Sequence, residues 1–420
     1  MDTRKARLVT VPKVVVPSQP RRRLPRWQEI SPLLQTRRIQ TDPTERRLSR
    51  AATIEDLATI ACRRTPRSVF EYVSGAAEAE ISIERARSTF RNVEFHPRVL
   101  RDVSSVDTST TILGEHAALP LILAPTGFTR MMHHEGEIAV GRAAAAADVP
   151  YALSTMGTTS IEDLAAAMPT GSKWFQLYLW KDRDASRGLV ERALDAKFDA
   201  LVLTVDTPVG GNRLRDVRNG MTIPPTLSAR TIADMARHPN WWANLLTTEP
   251  LQFASFSTFD GTVSELVNSM FDPTLNYDDL RWLRDQWPGK LVVKGIQSVD
   301  DARAAVDAGA DALVISNHGG RQLDRAPTPL ELVAPVAEAV GATAEIYVDT
   351  GIMTGADLVA AVGMGATAGM VGRAYLYGLM AGGQRGVTKA LDILASEATR
   401  TMQLMGAQTL DDLRGRVALR

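Results

Sequence analysis

From residue 117 onward the chain repeats one pattern. A short apolar, β-branched run stops at small, polar or charged residues, and an alanine-rich stretch with helical spacing of its apolar positions follows. Eight such runs are legible, at Leu119–Gly127, Tyr151–Thr155, Lys173–Leu179, Ala200–Asp206, Lys290–Ile296, Ala312–Gly320, Glu345–Gly351 and Ala368–Arg373. Their starts lie 32, 22, 27, 90, 22, 33 and 23 residues apart, and every gap but one suits a single strand, loop, helix and loop. Eight alternating units predict an α/β chain whose parallel sheet closes into a (β/α)8 TIM barrel. An open doubly wound sheet would need edge strands, and nothing marks them. The gap of 90 places an insertion, residues 214–277, after the fourth strand. It carries Pro224–Pro225, Trp241–Trp242, Leu245, Leu246, Phe253, Phe256, Phe259 and Phe271. Aromatics beside apolar residues suit a segment lying in a membrane interface, with an ordered lid or subunit contact as the alternative.

Composition changes this picture at the N-terminus. The whole chain is neutral, with 48 Lys/Arg against 48 Asp/Glu, which argues against a general affinity for nucleic acid. Residues 1–50 nevertheless hold thirteen Lys/Arg against four acids, a net of +9, so the other 370 residues carry −9. The basic stretch contains prolines and no apolar run long enough for a signal-peptide core. It is expected to be a flexible arm over 1–50, ahead of a catalytic domain over 51–420 with an N-terminal helical extension. No stretch of about 18 uninterrupted apolar residues exists to form a transmembrane helix, so membrane contact is expected to be peripheral. The one cysteine, Cys62, can form neither an intrachain disulfide nor a thiolate cluster, and a cytoplasmic setting is expected.

Barrel enzymes build their sites where the strands stop, and here those ends are polar. The third run ends in Gln176 and Tyr178, the fourth in Thr204 and Asp206 with Arg213 beyond, and the fifth in Lys294. The sixth ends in Ser316, Asn317, His318 and Arg321, within SNHGGRQLD. Lys294, in VVKG, brings one cation to the barrel mouth, where burial is costly unless an anion or electron-rich ligand meets it. The plain alternative is a salt bridge to a carboxylate on a neighbouring strand. His318 is the candidate general base, with Asp206 placed to stabilise an imidazolium. Arg213 and Arg321 together point to an anionic substrate, because guanidinium forks match a carboxylate bidentately; a small organic acid is implied. The loops after the last two strands read DTGIMTG (Asp349–Gly355) and VGRAY (Val371–Tyr375). Their glycines, Gly351 and Gly372 among them, let amides approach a phosphate, and Arg373 can neutralise it, so a phosphorylated cofactor is implied. GMGATAG (Gly363–Gly369) follows a helix and precedes a strand, the wrong order for a dinucleotide turn. His133, His134 and Glu135 are expected in the first turn of the helix after the first strand, with the histidines pointing apart; no metal site is expected.

SNHGGRQLD, VVKG, FQLYLWKDR, LTVDTPVGGNRLRD, FEYVSGAAE and the paired Asp-x-Gly and Val-Gly-Arg loops together resemble the FMN-dependent L-2-hydroxy acid oxidoreductases over roughly residues 50–410. Within that family, APTGFTRMMHHEGE, RLRDVRNGMTIPP and GRAYLYGLMAGG are most similar to the actinobacterial L-lactate dehydrogenase type and relatives encoded with mycofactocin systems. The resemblance implies FMN as cofactor and L-lactate or a related L-2-hydroxy acid as substrate, with electrons passed to a quinone or another carrier. It further implies that His318 takes a proton from the substrate while the Cα hydrogen passes to flavin N5, and that Asp206 holds the imidazolium. Arg213 and Arg321 would grip the carboxylate, Tyr72 and Tyr178 would hydrogen-bond the substrate, and Lys294 would sit near flavin N1. Pro125, Thr126, Gly127, Ser154, Gln176, Thr204 and Ser316 would contact the flavin, with Asp349, Gly351, Gly372 and Arg373 completing the cofactor set. A homotetramer, peripheral on the inner face of the cell membrane, is also implied. Three positions depart from many relatives: Met353 replaces an arginine, Gly127 an alanine, and Met156 a bulky aromatic. A peroxide-forming oxidase, a dehydrogenase serving a mycofactocin-type carrier and a non-catalytic membrane-associated barrel remain as alternatives.

Overall fold

A computed structural model describes residues 23–32, 40–221, 228–256 and 271–420. These fall into two compact units, Met1–Pro43 and Thr44–Arg420. The expected flexible arm lies largely outside the described residues; the first unit contributes the short helix Trp27–Ile30. The barrel and its cavity belong to the second.

Eight strands close the barrel: β1 (Leu121–Leu123), β2 (Tyr151–Ser154), β3 (Lys173–Leu177), β4 (Ala200–Thr204), β5 (Lys290–Ile296), β6 (Ala312–Ile315), β7 (Glu345–Val348) and β8 (Ala368–Val371). Every neighbouring pair is parallel, and β8 returns to pair with β1, Gly369 opposite Leu121. The first and sixth strands are shorter than their apolar runs, because regular pairing stops where the backbone turns into the loops that form the site.

Alternation along the strands explains the placement of those loops. Ala152, Trp174, Val202, Val292, Val314, Tyr347 and Met370 form a core cluster of their own inside the barrel, fully buried. Their neighbours Leu153, Phe175, Leu203, Val293, Ile315 and Val348 belong to the larger cluster shared with the surrounding helices. Side chains two residues apart share a face. Two residues beyond the inner apolar layer therefore come Ser154, Gln176, Thr204, Lys294, Ser316, Asp349 and Gly372, a polar layer at the C-terminal rim. The opposite end is plugged by the hairpin Thr110–Ile112/Glu115–Ala117, whose Ile112 and Ala117 join the inner cluster.

Side-chain caps start the surrounding helices where the sequence turns from loop to periodic segment. Ser160, Asp182, Ser298 and Thr354 each accept a first-turn amide. The helices Ile54–Arg64, Arg67–Ser74 and Ile81–Arg91 precede the barrel. Between β4 and β5 the described insertion forms Leu214–Arg218, Ala229–Ala236, Pro239–Leu246 and a 3₁₀ turn, Ala254–Phe256. Both sequence readings of this segment have residues to support them. Trp241 donates its indole N–H to the Met131 carbonyl at 2.8 Å, and Phe253 packs on Phe128 with ring centroids 4.3 Å apart, whereas Ile232, Trp242 and Leu246 are exposed. Pro224, Pro225 and Phe259 lie outside the described residues. No helix among the described residues is long and apolar enough to cross a membrane.

Candidate active site

A cavity of about 350 Å³ opens at the polar rim, within the size range of small-molecule sites. His318 reaches it from an unusual turn. His318, Gly319 and Gly320 take φ of 59°, 67° and 72° in succession, left-handed backbone that only glycine adopts without strain. A Cβ on Gly320 would also lie 3.0 Å from the Ile83 amide nitrogen. The two glycines thus let the chain double back and leave the imidazole at the cavity wall.

Behind it lies a buried charge system. Asp206 Oδ1 accepts from His318 Nδ1 at 2.8 Å, which leaves Nε2 as the ring's free base. Burial alone would raise the Asp206 carboxyl, but the charge and hydrogen bond of His318, joined by the Lys294 ammonium, outweigh it and hold the group below its ordinary value. Gly295, at φ 113°, makes room for this residue: a Cβ there would stand 2.7 Å from the Asp206 Cβ. Lys294 is 4% exposed, donates to Ser316 Oγ at 2.9 Å and pairs with Asp349 Oδ2 at 3.0 Å. Burial disfavours its charge, yet Asp349 and then Asp206 more than compensate, so the ammonium is held above its ordinary value. Lys294 stands in the mouth and also forms a salt bridge, although its partner Asp349 follows β7, one strand beyond the neighbouring β6, and the two line the cavity together. Ser316 and Asp206 do not line it. Ser316 Oγ sits beneath, donating to Asp349 at 2.8 Å and accepting from the His318 amide at 3.0 Å.

Tyr72, Tyr178, Arg213 and Arg321 converge beside His318. Arg321 lies 4.9 Å and Arg213 5.6 Å from the Tyr72 ring centre, so one aromatic ring meets both guanidinium groups. Arg321 Nη1 donates to the carbonyls of Tyr72 at 2.6 Å and Gly75 at 3.2 Å. Burial first, and then repulsion from Arg213, push Arg321 down to about 10. A carboxylate between the two would remove that repulsion. Burial likewise pushes the Tyr178 phenol up, with the Asp206 charge adding to it, so it stays protonated and can donate. Arg213 is held from behind by Asp216 at 3.1 Å, and burial raises the Asp216 carboxyl.

The floor of the cavity holds a chain of hydrogen bonds: Ser154 Oγ donates to Gln176 Oε1 at 3.1 Å, and Gln176 Nε2 to Thr204 Oγ1 at 3.0 Å. Pro125, Thr126 and Gly127 form one wall, Gly351, Gly372 and Arg373 the far end. The long final helix begins there at Arg373 with Gly372 as its cap, which aims first-turn amides at the cavity. Arg373 itself is partly spent, its Nε donating to the Val73 carbonyl at 2.9 Å and Nη2 to the Gly75 carbonyl at 2.8 Å. Two lining residues, Arg87 and Tyr377, come from helices and had no signal in the strand-end reading. Tyr375 does not line the cavity but supports its wall from behind, its hydroxyl 2.6 Å from Thr126 Oγ1.

One expectation is corrected. His133 and His134 do not point apart: their rings lie side by side, 4.5 Å between centroids, and the ligand atoms of His133, His134 and Glu135 lie within 4.8 Å of one another. They also precede the helix, which starts at Gly136. The tight turn after Met132 folds the rings together. Burial, then His134, Arg64 and Arg47, push His133 down to about 3, so its imidazole stays neutral.

Comparison with known proteins decides what this arrangement belongs to. The sequence model of the FMN-dependent dehydrogenases matches residues 61–419. The chain belongs to the FMN-dependent dehydrogenase family. A Mycobacterium tuberculosis protein provisionally named an L-lactate dehydrogenase is 58% identical over 392 residues, 93% of this chain and 95% of that one. The L-lactate dehydrogenase of Stenotrophomonas maltophilia strain R551-3 is 40% identical over 365 residues, 85% of this chain and 96% of that one. A crystal structure of the monotopic membrane protein (S)-mandelate dehydrogenase superposes with a TM-score of 0.85 at 36% identity, covering 88% of this chain and all of that one. The protein is therefore an FMN-dependent L-2-hydroxy acid dehydrogenase.

The cavity fits that cofactor. Its lining offers the Lys294 ammonium, the amide and hydroxyls of Gln176, Ser154 and Thr204, and, where the final helix starts, backbone amides and the Arg373 guanidinium. A flavin ring and its phosphate need donors of these kinds. When bound, FMN supplies the two-electron acceptor.

Proposed function

We propose that this dehydrogenase oxidises L-lactate or a related L-2-hydroxy acid to the 2-oxo acid and passes the electrons to a quinone or another carrier. The observation that carries the reading is the pair of guanidinium groups stacked on Tyr72 beside the 2.8 Å contact between His318 and Asp206. The arginines bind and orient a carboxylate. That places the neighbouring 2-hydroxyl at His318, whose free Nε2 accepts its proton while Asp206 stabilises the resulting imidazolium. Tyr178, kept protonated by burial, donates to the developing carbonyl, and Tyr72 to the carboxylate. Lys294, kept charged by Asp349, sets a fixed positive charge at the flavin ring. Pro125–Gly127, Ser154, Gln176 and Thr204 would hold the ring, and Gly351, Gly372 and Arg373 the phosphate.

Two features bear on scope. Gly127 and Met156 are in close contact, a Cβ on Gly127 standing 2.9 Å from the Met156 Cβ. With a flexible methionine in place of an aromatic ring, the pocket takes side chains larger than methyl. The exposed Trp242, Ile232 and Leu246 support peripheral seating at the inner membrane face, aided by the basic arm of residues 1–50.

The test is anaerobic flavin reduction across L-2-hydroxy acids of increasing side-chain size, with D-lactate as control, followed by reoxidation with quinone or air. L-lactate is expected to bleach the flavin and D-lactate to leave it yellow, with reoxidation faster by quinone. Bleaching by both enantiomers or neither would sink the substrate assignment, and rapid peroxide formation in air would replace the dehydrogenase reading with an oxidase.

A further inference from the structure

We propose that Arg87, on helix Ile81–Arg91 outside the barrel, supplies the FMN phosphate with the cationic donor that the loop after β7 lacks. The loop after β7 presents Met353 to this end of the cavity, a side chain without charge, and the other groups there are largely committed. Arg373 gives Nε and Nη2 to the Val73 and Gly75 carbonyls. The amides of Met353 and Thr354 turn away to Asp357 Oδ2, at 2.9 and 3.0 Å.

Arg87 is placed to fill this role. It lines the cavity at the end shared by Gly351, Met353 and Arg373. Its Nη1 is fixed by Asp357 Oδ2 at 2.7 Å and by the Gly351 carbonyl. Among the described residues Nε and Nη2 have no protein acceptor, and the side chain is 26% exposed. A guanidinium pinned by one nitrogen, on a side chain that lines the cavity, is a preorganised fork for phosphate oxygens. Glu55 lines the same end, so its like charge would oppose a phosphate more strongly if Arg87 were absent. By anchoring to Gly351, Arg87 also ties the phosphate loop to a helix 264 residues earlier in the chain.

The test separates phosphate recognition from support of the loop. Full-length protein freed of flavin is titrated with FMN and with riboflavin, which lacks the phosphate, following quenching of flavin fluorescence. Arg87→Gln is expected to weaken FMN by about 10- to 100-fold, the range of a charge-assisted pair, with riboflavin affinity unchanged. Arg87→Gln/Met353→Arg is expected to recover at least tenfold of the loss, by returning the charge from the loop. Equal losses for the two flavins would assign Arg87 to loop support alone, and no loss would leave it no part in binding; either overturns the proposal. If Arg87→Gln does not fold, Arg87→Lys is read in its place. It keeps the charge and loses the fork, so a several-fold loss confined to FMN supports the proposal and an unchanged FMN-to-riboflavin ratio overturns it.

Discussion

Replacing Asp206 with asparagine isolates what the buried charge does, since the side chain keeps its size and its capacity to accept a hydrogen bond. Oδ1 lies 2.8 Å from His318 Nδ1, and the carboxylate is 1% exposed against 24% for the ring. Solvent therefore screens the pair little. With charge centres about 4 Å apart and an effective dielectric near 20, an imidazolium formed at His318 gains about 4 kcal/mol from Asp206. Losing most of that raises the barrier to proton removal by about 3–4 kcal/mol, or about 10²- to 10³-fold in rate. The flavin should be retained, because Asp206 does not line the cavity, and substrate affinity should change little, because Arg213 and Arg321 are untouched. Anaerobic stopped-flow reduction by L-lactate measures the rate and the substrate Kd separately. A rate within about threefold of the parent would refute the assignment of Asp206, and a matching rise in Kd would show that the charge acts on binding.

Other consequences are open to measurement. Asp206 is held below its ordinary value in the folded state, so its contribution to stability is present above about pH 4 and lost as pH falls through the folded value. Urea titrations of Asp206→Asn should accordingly show a flatter acid limb than the parent. Arg321→Lys should raise the substrate Kd about 10- to 100-fold with a small effect on reduction rate, because the charge survives and the fork does not; binding calorimetry with a non-reacting 2-oxo acid checks this. Lys294→Met should make the flavin midpoint potential more negative by on the order of 40 mV, taking about 2 kcal/mol for the lost cation, as read by dye equilibration. Gly320→Ala should cost about 1–2 kcal/mol of unfolding free energy for its left-handed backbone, measured by denaturant titration. Trp242→Asp/Leu246→Asp should reduce co-sedimentation with anionic vesicles while leaving anaerobic flavin reduction unchanged, and equal sedimentation would remove the insertion from membrane contact.

The barrel was legible because its determinants are local. Each apolar run declares a strand, and alternation within it puts the next inward residue, such as Gln176 after Trp174 or Lys294 after Val292, into the polar rim. The residues of the candidate site at strand ends could be named in advance for the same reason. What escaped depends on contacts between distant segments. Arg87 sits on an ordinary polar helix face, and its partners Gly351 and Asp357 lie 264 and 270 residues away. Nor could spacing show that Asp349 would serve as counter-ion to Lys294, since that choice depends on how β5 and β7 flank β6. His133 and His134 were misread because they were assigned to the first turn of a helix that in fact starts only at Gly136, after a tight turn.

The helix Arg67–Ser74 and the residue after it give the carbonyls of Tyr72, Val73 and Gly75 to Arg321 and Arg373, one at the substrate end of the cavity and one at the phosphate end. A transient opening of this one segment would release both arginines together. Anything that binds the closed cavity then suppresses the opening by mass action. Amide hydrogen exchange in residues 67–75 should therefore slow when flavin is added and slow again with a bound 2-oxo acid. A protease that cuts there would in effect count the molecules without cofactor.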